Sequence, residues 1–199
     1  MNKSWNVIFL GFFLWSGIAP ADRLTWFLEV APAIVTFAVL LATRQSFPLT
    51  ALTYWLLLAE CVVLMIGGHY TYAHVPLFDW ISEYFQHGRN NYDKLAHLSQ
   101  GFVPAILVRE LLLRLQVLQR TGWLFFIVTC ICLAISAFYE LIEWWVALVS
   151  KQAAESFLGT QGYEWDTQSD MALALLGAML AQALLKRMHD LQIQALGRA

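Results

Sequence analysis

Charged residues are scarce in this chain of 199 residues. Aspartate, glutamate, lysine and arginine together make up 13% of the sequence, whereas hydrophobic residues make up 59%. A soluble globular domain carries about 25% charged residues. The shortage of charge therefore excludes an ordinary soluble domain and predicts a polytopic membrane protein.

An excess of positive charge is also missing. The formal net charge is −2, and nucleic-acid binding needs a basic patch that neutralises phosphates. We therefore expect membrane lipids, and no nucleic acid, as partners. Cysteine is limited to Cys61, Cys130 and Cys132, which all lie inside apolar segments. We interpret them as packed thiols rather than as a disulfide or a set of metal ligands.

Long apolar segments are what the sequence does contain. A membrane-spanning helix needs about 20 predominantly apolar residues, and six segments approach or exceed that length. They predict a single all-α transmembrane domain over residues 1–199. A polar stretch rich in aromatic residues predicts a short interfacial helix around Phe78–Gln86, between the third and fourth spans. The predicted spans cover residues 5–19, 24–43, 49–67, 94–115, 123–149 and 169–185.

The first segment has two interpretations. It is short, follows Lys3 and ends in Ala19-Pro20-Ala21, which resembles a signal-peptidase site. One interpretation is a cleaved signal peptide, and the other is a retained first helix that Pro20 stops. Both interpretations place Asp22 and Arg23 on the outer side of the membrane.

The distribution of lysine and arginine predicts the orientation. With six spans and an inside N-terminus, eight basic residues lie on the inner side and four on the outer side. Because cytoplasmic loops carry the excess of lysine and arginine, we expect both termini to be cytoplasmic.

Under this topology, histidines and carboxylates gather at the outer ends of the spans. Ionisable groups within a membrane are costly and mark candidate functional sites. Taken singly, each has a structural interpretation, such as an N-cap for Asp166. Taken together, the carboxylates exceed what Arg89, Lys94 and Lys151 can neutralise. The residues expected to line one outward-facing cavity are His69, Asp93, His97, Glu140, Glu143, Asp166 and Asp170.

The excess of carboxylates predicts a bound divalent cation. Asp166, Asp170 and Glu143 are the candidate oxygen ligands, and His97 is the candidate nitrogen ligand. Asp166 and Asp170 share one face if their helix begins at or before Asp166. His97 is alternatively a general base, and Glu140 is a second candidate acid or base. No spacing among these residues is a diagnostic metal motif.

Other residues within the spans allow more than one role. Glu60 lies near the middle of the third span and is either neutral and hydrogen-bonded or part of a proton path. Glu29 lies near the outer end of the second span and is a candidate member of the cluster. Gly177 favours close helix packing. Arg109 and Arg114 are expected to extend to the inner headgroups.

Four strings of the sequence carry a resemblance to a known family. Together they resemble the YjdF family of uncharacterised bacterial inner-membrane proteins, over essentially the whole chain. The resemblance implies a multi-pass protein of the inner membrane and brings no established activity. The four strings are Gly68–Tyr72, Asn91–His97, Tyr139–Trp144 and Gly159–Asp170.

About half of the chain also shows a looser likeness to the VanZ-like membrane proteins. The matching pattern is an Asp-Lys-x-x-His helix start, a late Glu in another helix, and an Asp-x-x-x-Asp helix start followed by a glycine. The likeness implies a shared site without its chemistry. The matching positions are Asp93, Lys94 and His97, then Glu140 or Glu143, then Asp166, Asp170 and Gly177.

Three functions fit these features. The first is a metal-dependent hydrolase or transferase acting on a lipid or lipid-linked substrate, although the chain has no nucleophile motif. The second is a transporter coupled to protons or cations through Glu29 and Glu60, although the chain has no internal repeat. The third is an accessory protein whose acidic face docks a cationic partner.

Overall fold

A computed structural model describes residues 3–86, 88–149 and 160–197. These residues form seven α-helices and no strand, so the all-α prediction is confirmed for the described part of the chain. The helices are α1 Lys3–Gly17, α2 Arg23–Thr43, α3 Ala51–Tyr70, α4 Pro76–Phe85, α5 Tyr92–Arg114, α6 Gly122–Val149 and α7 Asp166–Leu196.

Four of the described helices are long and apolar enough to cross a membrane: α2, α3, α6 and α7. The predicted count of about six spans is therefore not confirmed. Helix α1 has 15 residues, which is short for a 30 Å hydrocarbon core. Helix α5 has 23 residues, which is long enough, but it carries too many ionisable side chains to count as apolar.

Helix α5 is the inner helix of the bundle. It packs against α3, α6 and α7, with α7 as its most extensive neighbour. Its polar side chains point into the protein, and Asp93, His97, Arg109 and Glu110 are all buried. A helix enclosed by apolar helices does not itself need an apolar surface, which explains the low hydropathy of α5.

Two glycines let α5 and α7 approach each other at backbone contact. A Cβ atom added at Gly101 would overlap the carbonyl oxygen of Ala174, and one added at Gly177 would overlap that of Leu98. The packing interpretation of Gly177 is therefore confirmed. This close approach brings the first turns of the two helices, which carry the candidate ligands, to the same place.

Helix α1 is built into the bundle. Trp5 and Phe9 are buried, and the indole N–H of Trp5 donates to the carbonyl oxygen of Tyr54 at 2.7 Å. The Phe9 ring stacks on Phe37 of α2 with centroids 4.4 Å apart. This packing is what the retained-helix interpretation predicts.

The predicted interfacial helix corresponds to α4, Pro76–Phe85. Pro76 occupies its first turn, where the fixed φ of proline suits a helix start and no N–H is lost. Four of its large apolar or aromatic side chains are exposed: Leu77, Trp80, Tyr84 and Phe85.

Helix α7 continues well past residue 185, the predicted end of the last span. The additional turns place His189 and Asp190 beside α5. Arg109 is 2% exposed and donates to His189 Nδ1 at 3.1 Å and to Asp190 Oδ1 at 2.7 Å. The prediction that Arg109 extends to the headgroups is therefore wrong, because two partners on α7 hold its guanidinium inside the protein.

Candidate functional site

The segment before α7 fastens the start of that helix to the start of α5. Gln161 and Gly162 have left-handed backbone conformations, with φ of 48° and 80°, and the N–H of Tyr163 donates to the carbonyl oxygen of Thr160 at 2.9 Å. The Gln161 side chain then pairs with the backbone of Asn90, accepting at 3.0 Å and donating at 2.9 Å. The polar run before α7 thus positions the two helix starts.

Asn90 also connects this junction to α4. Its side-chain amide donates to the carbonyl oxygen of Val75 at 3.0 Å and to Asp79 Oδ1 at 2.7 Å. Its side-chain oxygen accepts from the N–H of Tyr92 at 3.1 Å. A single buried asparagine therefore holds α4 against the first turn of α5. We call the end of the bundle where α5 and α7 begin and α6 ends the acidic end.

The outer layer of the acidic end is a set of ion pairs around Asp166. Asp166 Oδ1 accepts from Arg89 Nη2 at 2.5 Å and from Lys94 Nζ at 2.6 Å. Lys94 Nζ also donates to Ser169 Oγ at 2.6 Å and to Asp170 Oδ1 at 2.8 Å. The charge of Asp166 is thus compensated by two cations, which makes it a poor candidate for a metal ligand.

The inner layer is centred on the imidazole of His97. Its Nε2 lies 3.4 Å from Asp93 Oδ1 and 3.8 Å from Glu140 Oε1. Two groups of potential ligand atoms share this histidine, and within each group all ligand atoms lie within 4.8 Å of one another. The groups are Asp93, His97 and Asp170, and His97, Glu140 and Glu143.

The other nitrogen of His97 indicates which atom is free to bind. His97 Nδ1 lies 3.1 Å from the side-chain oxygen of Gln100, so Nδ1 carries the proton and donates it. In the neutral imidazole, Nε2 then presents a lone pair toward the oxygens of Asp93 and Glu140. Three electron-rich atoms facing one another require a proton or a cation between them. The hydrogen bond from His97 Nδ1 to Gln100 is of the kind that orients metal-binding histidines.

One of these oxygens lacks a hydrogen bond. Glu140 is 8% exposed, and its Oε1 has no hydrogen-bond partner among the described residues. A buried polar atom without a partner costs free energy comparable to a lost hydrogen bond or more. This oxygen lies 3.8 Å from His97 Nε2, on the side to which the lone pair of that nitrogen points.

A small cavity of about 30 Å³ lies beside His97, large enough for about one water or ion. Tyr139 lies on its wall and donates its hydroxyl to Glu29 Oε2 at 2.9 Å, so Glu29 is part of the cluster. The polar residues that line the cavity are Glu29, Tyr72, Asp93, His97, Gln100, Tyr139 and Glu143.

The cluster holds more negative than positive groups. The described residues place two fixed cations there, Arg89 and Lys94, while Lys151 lies outside the described residues. If all carboxylates were ionised, six negative charges would face two positive ones. Protons or a bound cation must supply most of the difference. The six carboxylates belong to Glu29, Asp93, Glu140, Glu143, Asp166 and Asp170.

The structure brings most of the predicted site residues together, but not all in the same layer. His97, Asp170, Glu140 and Glu143 belong to the inner layer. Asp166 belongs to the outer layer of ion pairs. His69 lies elsewhere, with its Nδ1 3.0 Å from the carbonyl oxygen of Ser16 and its ring beside Trp15.

Three polar residues of the cavity wall were not predicted from the sequence: Tyr72, Gln100 and Tyr139. Gln100 lies three residues after His97, so it shares a helix face with it, and this spacing was a usable signal. Tyr139 contacts Glu29 across 110 residues of sequence, and no local pattern indicates such a pair.

The described helices and the buried His-carboxylate cluster define the chain as a helical membrane protein with a buried polar site. The chain belongs to the family described as predicted membrane protein (DUF2238), whose model matches residues 1–191. Over 184 residues it is 48% identical to the inner membrane protein YjdF of Escherichia coli (strain K12). The aligned residues cover 92% of this chain and 88% of that protein. No solved structure matches the chain significantly. The resemblance to the YjdF family is therefore confirmed.

Proposed function

We propose that this protein is a metal-dependent hydrolase or transferase that acts on a lipid or lipid-linked substrate at the outer leaflet. The observation that carries the proposal is the buried group of potential ligand atoms from Asp93, His97 and Asp170, which all lie within 4.8 Å of one another. The unpartnered oxygen of Glu140 lies beside this group, 3.8 Å from His97 Nε2. A divalent cation held by the group would supply a Lewis acid for a substrate oxygen and would favour hydroxide over water.

The distances suit a small cation. In a tetrahedral site with bonds of about 2.1 Å, neighbouring ligand atoms lie about 3.4 Å apart. His97 Nε2 is 3.4 Å from Asp93 Oδ1, and the ligand atoms of Asp93, His97 and Asp170 all lie within 4.8 Å of one another. One imidazole with carboxylates suits zinc or manganese, whereas calcium takes oxygen ligands only.

We assign the cation to Asp93, His97 and Asp170, which come from the facing first turns of α5 and α7. Glu140 and Glu143, on α6, form the second group of potential ligand atoms that shares His97. In this arrangement Glu140 exchanges protons with the substrate or the attacking water. The sequence-based ligand set of Asp166, Asp170, Glu143 and His97 thus changes in two respects. Asp93 takes the place of Asp166, which orients Arg89 and Lys94, and Glu143 is no longer a ligand.

Exposed aromatic side chains support a lipid substrate. Tryptophan and tyrosine favour the membrane–water interface, and the elements around the cavity carry several of them. Their presence supports a cavity at headgroup depth, where a lipid head would reach it without leaving the bilayer. The exposed aromatic residues at this end are Trp80, Tyr84, Trp144, Trp145, Tyr163 and Trp165.

One observation favours transport as a second candidate. Glu60 Oε2 is buried and has no hydrogen-bond partner within the described chain, as a proton carrier in mid-membrane would be. The polar residues of α5, however, form two separate groups. The first group ends at Gln100, and the second begins at Arg109. The nine-residue step from Gln100 to Arg109 corresponds to about 13.5 Å along the helix. The buried residues of α5 in this interval are small or apolar: Gly101, Val103, Ala105 and Ile106.

Metal content of the purified protein tests the proposal. We expect about one equivalent of zinc or manganese in the wild type, lost after treatment with a chelator. Asp170→Asn removes one ligand charge while it keeps the shape of the side chain, so the metal content is expected to fall at least tenfold. The matched control is Glu164→Gln, at an exposed carboxylate six residues earlier, which should leave the metal content unchanged. Equal metal content in both variants would contradict the assignment.

A further inference from the structure

A second pocket opens at the acidic end, on the outer side of the ion-pair layer. Its volume is about 370 Å³, and basic and polar side chains form its wall. It differs from the cavity beside His97, whose wall includes three carboxylates. The residues that line this mouth pocket are Arg89, Asn91, Lys94, Tyr163 and Ser169.

The two cations of the mouth pocket are held in place by their surroundings. The guanidinium of Arg89 lies 5.3 Å and the ammonium of Lys94 lies 5.5 Å from the centre of the Tyr163 ring. Arg89 Nη1 donates to the carbonyl oxygen of Thr160 at 2.9 Å. Both cations also bond to one oxygen of Asp166, which shows that the pair can hold an anionic oxygen between them.

Arg89 still has donors to offer. Its Nε has no hydrogen-bond partner among the described residues. Its two terminal nitrogens carry four hydrogens, and the close bonds to Thr160 and Asp166 use two of them. A guanidinium with spare donors in a fixed fork suits a tetrahedral oxyanion such as phosphate.

Two helix starts add backbone N–H donors beside the pocket. Helices α5 and α7 both begin here, and neither Asn91 nor Trp165, their N-cap residues, forms a side-chain cap. The first N–H groups of a helix and its dipole favour an anion at this position. Asn91 and Ser169, which line the pocket, lie at these two helix starts.

We infer that the mouth pocket binds the phosphate group of the substrate, with Arg89 and Lys94 as its anion-binding residues. Lys94 also bonds to Asp170, a proposed ligand of the cation, so a phosphate on Lys94 lies next to the metal site. The inference rests on the proposed function and deepens it, because it names the substrate group. The phosphate belongs either to a lipid head group or to a free phosphate ion.

The experiment measures binding to the purified full chain in detergent after removal of metals with a chelator. The probes are dihexanoyl phosphatidic acid, dihexanoylglycerol, which has no phosphate, and inorganic phosphate. We expect phosphatidic acid to bind at least tenfold more tightly than dihexanoylglycerol. Binding of inorganic phosphate with an equal affinity supports the phosphate site and identifies free phosphate as its source. Weaker binding of inorganic phosphate supports the site and identifies a lipid head group.

Substitutions of residues that line the mouth pocket test whether the probe binds there. Arg89→Gln is expected to weaken binding of phosphatidic acid at least tenfold. Arg89→Lys keeps the charge, so its affinity for phosphatidic acid should fall less than that of Arg89→Gln. The matched control is Arg23→Gln, at an exposed arginine at the start of α2, which should stay within twofold of the wild type. If Arg89→Gln does not fold, Tyr163→Leu removes the ring under both cations and is expected to weaken binding several-fold.

Equal binding of phosphatidic acid and dihexanoylglycerol would overturn the inference. So would equal affinities of the folded Arg89 or Tyr163 variants and the Arg23 control. Because the protein is free of metal in these measurements, failure here is distinguishable from failure of the metal site, which is measured by metal content.

Discussion

Asp166 and Asp170 are four residues apart, yet the structure gives them different surroundings. Helix α7 begins at Asp166, so the prediction that the two carboxylates share one helix face is confirmed. Their partners could not be predicted in the same way. Arg89 and Lys94 come from 77 and 72 residues away in sequence, and helical spacing does not indicate which distant cation a carboxylate will meet. Local spacing therefore located the cluster but did not separate its ion-paired layer from its ligand-like layer.

Asp22 gives a pH-dependent prediction for a single residue. It caps α2 by accepting from the N–H of Thr25 at 2.7 Å, and this hydrogen bond lowers the pKa of its carboxyl. A lowered native pKa stabilises the fold above the unfolded pKa of about 3.9, and this contribution is lost as pH falls through the native value. We expect Asp22→Ala to cost about 1 kcal/mol at pH 7.

The measurement is the melting temperature of the wild type and of Asp22→Ala at pH 7 and at pH 3. The difference between the two proteins should shrink at the lower pH. A difference that is equal at both pH values would show that the carboxylate charge does not contribute to the cap.

Helix α5 shows where hydropathy is informative and where it is not. The apolar helices α2, α3, α6 and α7 were recognisable from composition, because their surfaces are rich in apolar residues. Helix α5 was expected to be a span of the same kind, but it is enclosed by other helices and buries Asp93, His97, Arg109 and Glu110. Composition counts residues over the whole helix and does not say which neighbours face them. The polar site on α5 therefore required the tertiary structure.

Gly177 provides a test of the crossing between α5 and α7. A methyl group at this position would overlap the carbonyl oxygen of Leu98, so Gly177→Ala should destabilise the protein by about 1–3 kcal/mol, as overpacking does. Gly11 is a matched control because it also lies inside a helix, and a Cβ there meets no atom of the described chain within 4 Å.

At a helix position where a Cβ atom meets no other atom, alanine is favoured over glycine by up to about 1 kcal/mol. The two substitutions should therefore change the stability to chemical denaturation in opposite directions. If Gly177→Ala were as stable as Gly11→Ala, the two helices would not be in backbone contact.

At the scale of the whole molecule, the two ends of the bundle differ in how completely their buried carboxylates are hydrogen-bonded. At the end opposite the acidic end, Glu110 is fully buried and accepts from the N–H and hydroxyl of Thr50, from Thr53 and from Arg114. His189 lies 3.2 Å from the same carboxylate. This network is satisfied within the protein, as buried polar groups usually are.

The acidic end lacks this balance. Glu140 has a buried oxygen without a partner in the described chain, and six carboxylates face two described cations. Glu110 is thus satisfied by several donors, whereas Glu140 keeps a buried oxygen without a partner in the described chain. This contrast supports the proposed metal site. The cytoplasmic location of both termini stays a prediction.

The melting temperature of the wild-type protein with and without divalent cations tests the metal site most directly. A cation that binds the native state must stabilise it, by about 2.7 kcal/mol at a concentration one hundred times its dissociation constant. After treatment with a chelator, addition of zinc or manganese should therefore raise the melting temperature of the wild type, and raise that of Asp170→Asn much less. A wild-type melting temperature that no divalent cation changes would contradict the account.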